Sequence, residues 1–297
     1  CPNAVYLNYT NPMAMLCRTV QGAFPNMVCS GLCHSVQGTA SMLAKWIGAK
    51  DEEITYTCAG INHQAWLLEL TKNGVDLYPE VKKRALEKNA SEKHGDMVRF
   101  DYIDKLGYYC TESSEHNAEY NNLFIKSKYP ELIDRYRIPL DEYPRRCVNQ
   151  IAAWQKQKEE IMNGGNVQHT RSHEYASRIM EAMVTNVPYE IGGNVLNNGL
   201  ITNLPDEACV EVPCLVDRCG VTPTYVGDLP LQLAAMNASN IYPQMLTIEA
   251  AHTMKKETIY QAAMMDPHTG AQLSTDEIVA LCDELYEAHE KAGYPIF

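Results

Sequence analysis

The sequence lacks the short motifs that mark several common enzyme classes. Its 297 residues contain no Gly-x-Gly-x-x-Gly loop, no Gly-x-Ser-x-Gly elbow and no Cys-x-x-Cys pair. From this chain alone we therefore predict no phosphate cradle for a dinucleotide, no serine-hydrolase nucleophile and no ordinary zinc knuckle.

Long apolar runs and basic residues are scarce as well. No stretch of 18 apolar residues occurs and the first residues, CPNAVYLNYT, have no signal-peptide pattern, so we expect a soluble protein of the cytoplasm that does not enter a membrane. The 25 Lys and Arg against 37 Asp and Glu give a net charge of −12, which disfavours nucleic acid as a partner. The eleven cysteines are expected to be free and mostly buried.

The first fifty residues repeat a strand followed by a helix. Residues 4–9 and 27–32 have strand patterns, and helical patterns follow at Pro12 and at residues 37–47. Two such units predict a parallel sheet that binds ligands at the carboxyl ends of its strands. The residues at these ends are Asn11, Cys33 and His34. Because there is no initiator Met and a strand comes at once, we expect the chain to begin inside a fold.

The remaining sequence has a mixed pattern of strands and helices. Residues 54–60 and 65–71 are predicted strands on either side of Asn62-His63, and Asn73-Gly74 is typical of a hairpin turn. Further predictions are helices at 143–162 and 172–185, with Ser172 as an N-cap, antiparallel strands within 189–227, and a helix opened by the capping box Ser274 to Glu277. The fold class is therefore α/β plus α+β, with a nucleotide-domain remnant at 1–50 and an α+β domain at 51–297.

Three groups of residues could carry chemistry. Cys33 and His63 each follow a short apolar strand, which suits either a metal site or ordinary core packing. The segment TESSEHNAEY concentrates acids and bases, and it reads either as a catalytic segment or as a solvated helix start with a serine cap; its titratable members are Glu112, Glu115, His116, Glu119 and Tyr120. A tyrosine there can act as a base only if a cation lowers its pKa. Asn11 and Asn62 suit either turns or contacts to sugar hydroxyls.

Longer strings of the sequence resemble a known enzyme family. LNYTNPMAM, GLCHSVQGTA, CAGINHQAW, LGYYCTESSEHNAEY, PLDEYPRRC, NNGLITNLPDEACVEVPCLVD and AAMMDPHTGAQL together resemble the NAD- and manganese-dependent family 4 glycosidases, and within them the bacterial α-galactosidases. The resemblance runs from the first residue nearly to the last. It implies a sheet like that of lactate and malate dehydrogenases, of which only the carboxyl-terminal part is present, followed by a catalytic and oligomerisation domain.

The resemblance also implies a reaction and a set of residues. In this family NAD oxidises the sugar at C3, a base removes the C2 proton with help from a divalent cation, the leaving group departs from C1, water adds and the hydride returns. By resemblance, Cys33 and His63 are the metal ligands, Mn²⁺ or another divalent cation is the metal, and Asn11 and Asn62 contact the sugar. Tyr120 falls where the family places its C2 base, with Glu119 and His116 as rivals. His34 is implied as a substrate contact and proton donor.

Several alternatives remain open from the sequence. An α-galacturonidase or an α-glucosidase of the same family differs in one or two hydroxyl contacts that spacing does not reveal. A 2-hydroxy acid dehydrogenase relative would not explain Cys33 together with His63. The third alternative is an inactive fragment that serves only for assembly, because the glycine-rich loop is absent. For the same reason no NAD-binding residues are identified. Long helices at 143–162 and 274–292 favour a homo-oligomer, a dimer or a tetramer.

Overall fold

The computed structural model describes residue 1, residues 4–165, residue 172 and residues 174–294. Within these residues, nine strands form one sheet in the order β1-β2-β7-β8-β3-β4-β5, with β6 beside β4 and β9 beside β8. The strands are β1 Val5–Asn8, β2 Val28–Leu32, β3 Ile54–Ile61, β4 Gln64–Lys72, β5 Val75–Asp76, β6 Tyr109–Cys110, β7 Tyr189–Leu196, β8 Cys209–Asp217 and β9 Gly220–Pro223.

The first two strands form a parallel pair, as the strand and helix repeat predicts. Val5 of β1 lies opposite Val28 of β2, and each strand is followed by its helix, α1 Met13–Ala23 or α2 Ser35–Ile47. All other strand pairs in the described part of the sheet are antiparallel. Strand β7 joins β2 to β8, so both parts of the chain contribute to one sheet. The division at residue 50 stays a prediction.

Two-residue loops close several hairpins of the sheet. Asn62 and His63 alone separate the paired residues Ile61 and Gln64 at the end of the β3–β4 hairpin. Asn73 and Gly74 have φ angles of 51° and 78°, which suits a tight hairpin turn between β4 and β5, so the predicted turn is confirmed. The antiparallel strands predicted within residues 189–227 are confirmed as β7, β8 and β9.

Helices cover the sheet. After α1 and α2 the described helices are α3 Tyr78–Ser91, α4 Met97–Leu106, α5 Ser114–Glu119, α6 Glu131–Arg135, α7 Glu142–Met162, α8 Ala176–Thr185, α9 Leu231–Thr253, α10 Lys256–Met265, α11 Thr269–Gln272 and α12 Thr275–Lys291, with a short 3₁₀ turn at Asp51–Glu53. None of the described helices is both long and apolar enough to cross a membrane.

Two helix predictions illustrate what local sequence can and cannot specify. The capping box is confirmed, since Ser274 accepts from the Glu277 backbone and Glu277 accepts from the Ser274 backbone. The predicted N-cap at Ser172 is wrong, because α8 begins at Ala176 and the Ser172 hydroxyl instead accepts from the Glu174 amide. A serine can satisfy a nearby backbone amide without starting a helix.

Alternate residues of the central strands face opposite layers of the core. In β4, Trp66 packs with Tyr102 of α4 and Leu233 of α9, whereas its neighbour Leu67 packs with Val81 of α3. Apolar side chains on both faces are what a strand covered by helices on each side requires.

Gly31 in β2 permits close packing of α1 on the sheet. A Cβ atom there would collide with Met13 Sδ and would lie 2.9 Å from Cys17 Sγ, both on α1. Because Asn194 of β7 is also only 2.8 Å away, the added methyl group would have to displace the helix or the strand.

Gly31→Ala is therefore expected to lower the free energy of unfolding by about 1–3 kcal/mol. The matched control is Gly38→Ala in α2, where a Cβ atom would meet no heavy atom within 4 Å. Removing a glycine from a helix interior should raise the free energy of unfolding by roughly 0.5–1 kcal/mol. Urea unfolding followed by circular dichroism measures the free energy of unfolding of both variants. Equal changes in the two variants would contradict the packing described above.

Candidate active site

Three chain segments meet at one edge of the sheet. Cys33 follows the last residue of β2, His63 lies in the β3–β4 loop, and Glu112 comes shortly after β6. Their ligand atoms, a thiol sulfur, an imidazole nitrogen and a carboxylate oxygen, all lie within 4.8 Å of one another. Ligands bound to one ion at about 2.0–2.6 Å each are no more than about 5 Å apart, so this cluster fits a divalent cation.

Backbone pairing explains why Glu112 reaches a residue nearly fifty positions away. The Thr111 amide donates to the Ala65 carbonyl at 2.8 Å, and the Thr111 hydroxyl accepts from the Ala65 amide at 3.2 Å. These bonds hold the segment after β6 against the start of β4. His63 and Glu112 both have left-handed backbones, with φ of 63° and 66°. Such conformations are unfavourable for these residues and concentrate at functional sites.

The imidazole of His63 connects the cluster to Tyr120. Its Nε2 faces Glu112, with Nε2 and Oε2 3.7 Å apart, while its Nδ1 is 3.0 Å from the Tyr120 hydroxyl. A histidine that binds a metal through one nitrogen commonly donates its other N–H to a neighbouring group. Burial, with Glu112 and Glu119 nearby, raises the pKa of Tyr120, so a nearby positive charge is needed before its hydroxyl can serve as a base.

Cys33 is a buried thiol held from two sides. Its Sγ donates to the Ser35 hydroxyl at 3.1 Å, and its carbonyl accepts from the Tyr175 hydroxyl at 3.0 Å. Burial raises the pKa of Cys33, and the Ser35 contact opposes that effect. The thiol is therefore protonated at neutral pH, and binding a cation through sulfur would release a proton.

A second carboxyl group lies close to this cluster. Glu211 in the middle of β8 is fully buried, accepts from Asn194 Nδ2 at 3.1 Å, and has no described hydrogen-bond partner at Oε2. Burial raises its pKa well above the ordinary value, and the neighbouring Cys33 adds to that effect while His63 opposes it. Burial thus disfavours the charged form of Glu211, which lies as a polar group at the floor of the cluster.

His34 occupies a different position from Cys33, although the two are successive residues. Its side chain is about half exposed, its Nε2 is 3.0 Å from Glu174 Oε2, and its ring stacks on Tyr9 at 5.4 Å. Both His34 and Cys33 line one cleft of about 570 Å³, together with Glu174 and Glu112. His34 is thus beside the candidate metal cluster but not in it.

Asn11 and Asn62 line a neighbouring cleft of about 460 Å³ that Tyr120 also borders. Asn62 Nδ2 is buried and, apart from the Cys33 thiol beside it, has no described partner, whereas Asn11 Oδ1 accepts from the Met13 amide. A buried, unsatisfied amide is costly unless a ligand or water pairs with it. The further polar residues of this cleft are Asn240, Gln244, Thr247 and Asp266.

The family is decided by comparison with known proteins. A model of the family 4 glycosyl hydrolase C-terminal domain matches residues 58–269, and a second model of family 4 glycosyl hydrolases matches residues 1–49. The chain belongs to glycosyl hydrolase family 4. This membership confirms the resemblance that the sequence motifs carry.

Two relatives of this family 4 protein are named α-galactosidases, and others at 25–27% identity are named α-galacturonidases or an α-glucosidase. The α-galactosidase of Bacillus subtilis (strain 168) is 58% identical over 97% of this chain and 66% of its own length, and that of Rhizobium meliloti (strain 1021) is 33% identical over 98% and 61%. The chain thus spans less than two thirds of either relative. A 6-phospho-α-glucosidase from gut microorganisms, solved with NAD and Mn²⁺, has a TM-score of 0.79 at 19% identity over 100% of this chain and 69% of that one. It supports the fold.

Sequence reasoning nominated some of these residues and missed others. Cys33 and His63 meet as the metal-site hypothesis requires, and Tyr120 contacts His63, although their roles stay predictions. Glu112 was only one acid in a crowded segment, and nothing local distinguished it from Glu115 or Glu119. His116 forms a separate cluster with Glu115 and Glu119, and its ring centroid lies 5.3 Å from that of His63. It therefore remains an alternative candidate for the base.

Glu112→Gln is expected to weaken Mn²⁺ binding by roughly 10- to 100-fold, since a charged donor is lost. Cys33→Ser and His63→Ala should have effects at least as large. The matched control is Glu174→Gln, which removes a carboxylate from the same cleft but outside the cluster. Manganese affinity can be measured by electron paramagnetic resonance of the free ion. Equal losses in Glu112→Gln and Glu174→Gln would indicate a general electrostatic effect instead of ligation.

Proposed function

We propose that the protein is an α-galactosidase that cleaves α-galactosides such as melibiose by oxidation, elimination and readdition of water. The proposal rests chiefly on one observation: Cys33, His63 and Glu112 converge, and the same His63 imidazole contacts Tyr120. An elimination mechanism needs a cation and a base on adjacent sites, and this arrangement offers both. The two α-galactosidases named above favour the galactoside.

In this proposal Cys33, His63 and Glu112 hold a divalent cation, for which Mn²⁺ is the first candidate. When bound, the metal supplies Lewis-acid stabilisation of negative charge on the sugar oxygens. Sulfur is an unusual donor for manganese, which prefers oxygen, so we expect weak binding that oxidation of Cys33 abolishes. NAD is the proposed oxidant, but the chain has no glycine-rich loop, and no residue here is assigned to its phosphates.

Tyr120 is proposed as the base that removes the C2 proton. With Nε2 of His63 directed to the cluster, Nδ1 carries the proton and donates to the Tyr120 oxygen, which holds the phenol in place and favours its deprotonated form. His34 is proposed to contact the sugar and to donate a proton to the leaving group. Its pairing with Glu174 keeps the imidazole at the open side of the cleft.

The charge of the clefts favours a neutral sugar. None of the described residues that line the two clefts is Lys or Arg, whereas Glu112, Glu174 and Asp266 are carboxylates. A phosphorylated sugar or a uronic acid would bring a further negative charge to these acids with no Lys or Arg among the described lining residues to pair with it. This favours an α-galactosidase over an α-galacturonidase. The choice between galactose and glucose depends on hydroxyl contacts at positions such as Asn11 and Asn62.

Substrate preference tests the proposal directly. The full-length protein, with Mn²⁺, NAD and a thiol reductant, should hydrolyse nitrophenyl α-galactoside with a kcat/KM at least about 100-fold above that for the α-galacturonide and the α-glucoside. The 6-phosphate of the galactoside is a further comparison, since it adds charge at constant stereochemistry. Faster turnover of the galacturonide would contradict the assignment, and reduction of a keto acid without manganese would indicate a dehydrogenase instead.

Tyr120→Phe should slow exchange of the C2 hydrogen by about 100-fold or more, because general bases contribute on that scale, while Mn²⁺ affinity stays near that of the unaltered protein. Deuterium uptake from heavy water into the sugar, followed by NMR, measures this step. Tyr9→Phe is the matched control, as Tyr9 borders the cleft at His34 and none of the described hydrogen bonds or ring contacts joins it to His63. Unchanged exchange in Tyr120→Phe would leave His116 as the candidate base.

We further propose that the protein acts in the cytoplasm as a homo-oligomer. The net charge, the absence of an apolar spanning helix among the described residues and the exposed helices support this reading.

A further inference from the structure

A further cleft of about 340 Å³ lies between α2, the last turn of α3 and α4. Its volume is at the lower end of what small-molecule sites enclose. None of its described lining residues borders either cleft of the candidate active site. The cleft is therefore separate from the residues to which the proposed reaction is assigned.

The lining of this cleft is basic, although the chain as a whole is acidic. Lys88, His94 and Arg99 contribute to it, and Asp96 is the one carboxylate among its described lining residues. The described lining of the two active-site clefts includes neither Lys nor Arg. In a chain with a net charge of −12, such a pocket is a local exception that favours a negatively charged ligand.

Arg99 is a buried guanidinium whose donors are only partly satisfied. Its Nε donates to Asp96 Oδ1, while Oδ2 of the same carboxylate accepts from the Tyr109 hydroxyl. The two terminal amino groups make long contacts, Nη1 at 3.5 Å from Thr39 Oγ1 and Nη2 at 3.8 Å from Met42 Sδ. A neutral hydroxyl and a thioether at these distances are weak acceptors. The guanidinium thus keeps two donor groups for a stronger acceptor.

Two further donors belong to the same lining. His94 Nδ1 accepts from the Asp96 amide at 3.1 Å, so the hydrogen of the neutral ring is on Nε2. Burial and the charge of Lys88 lower the pKa of His94, which favours that neutral form. The Nε2 atom is buried without a described partner, a costly state unless a ligand or water pairs with it. Lys88 Nζ is 3.7 Å from Glu92 Oε1, too far for a direct hydrogen bond.

The remaining lining is aromatic and apolar. The rings of Trp46 and Phe100 stack with centroids 4.9 Å apart, and the His94 ring lies 5.1 Å from that of Phe100. Met42 also lines the cleft and is 37% exposed. Apolar walls with a few polar groups that fix orientation are typical of sites for organic ligands. They suit a flat apolar group better than a fully hydrated inorganic anion.

We infer that this cleft binds a small molecule that carries one carboxylate on a flat apolar group. The carboxylate accepts from the terminal amino groups of Arg99, whose planar fork matches the spacing of two carboxylate oxygens. Lys88 and His94 supply further donors at the same end. The apolar group lies against Trp46 and Met42. The inference does not rest on the proposed function, because the two sites share no described residue.

Binding of benzoate to the full-length protein tests the inference. Titration calorimetry should give a dissociation constant of about 1 mM or lower, and the neutral analogue benzamide should bind at least about 10-fold more weakly. Because the cleft is separate from the candidate active site, neither galactose nor Mn²⁺ should change the affinity for benzoate. Competition between galactose and benzoate would place the carboxylate in the active site and overturn the inference.

Substitutions locate the bound carboxylate. Arg99→Lys keeps a positive charge beside Asp96 but removes the fork, and it should raise the dissociation constant at least about 10-fold. Lys88→Met should raise it about 5-fold, and Met42→Trp should abolish binding by filling the cleft. The matched control is Lys83→Met, which removes a charge from an exposed position of α3 outside the cleft and should change the affinity less than about 2-fold.

Three further results would overturn the inference. They are an absence of saturable benzoate binding, an affinity unchanged in both Lys88→Met and Met42→Trp, or tighter binding of inorganic phosphate than of benzoate. Since Arg99 is buried, Arg99→Lys counts only if its thermal midpoint stays near that of the unaltered protein. Lys88 and Met42 are partly exposed, so their variants decide the question if Arg99→Lys does not fold.

Discussion

The candidate site depends on the imidazole of His63 and on the tight hairpin that carries it. The loop between β3 and β4 has only two residues, and His63 adopts a left-handed backbone within it. That geometry directs Nε2 to Glu112 and Nδ1 to Tyr120. One ring therefore fixes the distance between a candidate cation and a candidate base. The sheet contributes by holding β3, which leads into this loop, between β8 and β4.

Burial and charge are balanced around this ring. Cys33 and Glu211 are buried, and burial raises the pKa of each. Glu112 is only partly buried. Because burial disfavours the charged forms of Cys33 and Glu211, the cluster does not concentrate three negative charges in a small volume.

The features predictable from the sequence are those that depend on neighbouring residues. The parallel pair β1 and β2, the turn at Asn73 and the capping box at Ser274 all follow from short patterns. Cys33 and His63 could be nominated because each stands at the end of an apolar strand. Glu112 could not, since its place depends on the pairing of β4 with β6, a strand of two residues. Glu211 could not be predicted as a site residue for another reason. It alternates with apolar residues in a strand that is covered on both sides, so its pattern is that of an ordinary core strand.

The adjacent residues Glu174 and Tyr175 bind two functionally different groups at once. Glu174 pairs with His34 at the open side of the cleft, and Tyr175 holds the carbonyl of Cys33 at its floor. Because Glu174 and Tyr175 share one peptide bond, the half-exposed imidazole of His34 and the buried carbonyl of its neighbour Cys33 are both tied to one point of a chain segment about 140 residues away. Two consecutive side chains of one segment thus meet two consecutive residues of another.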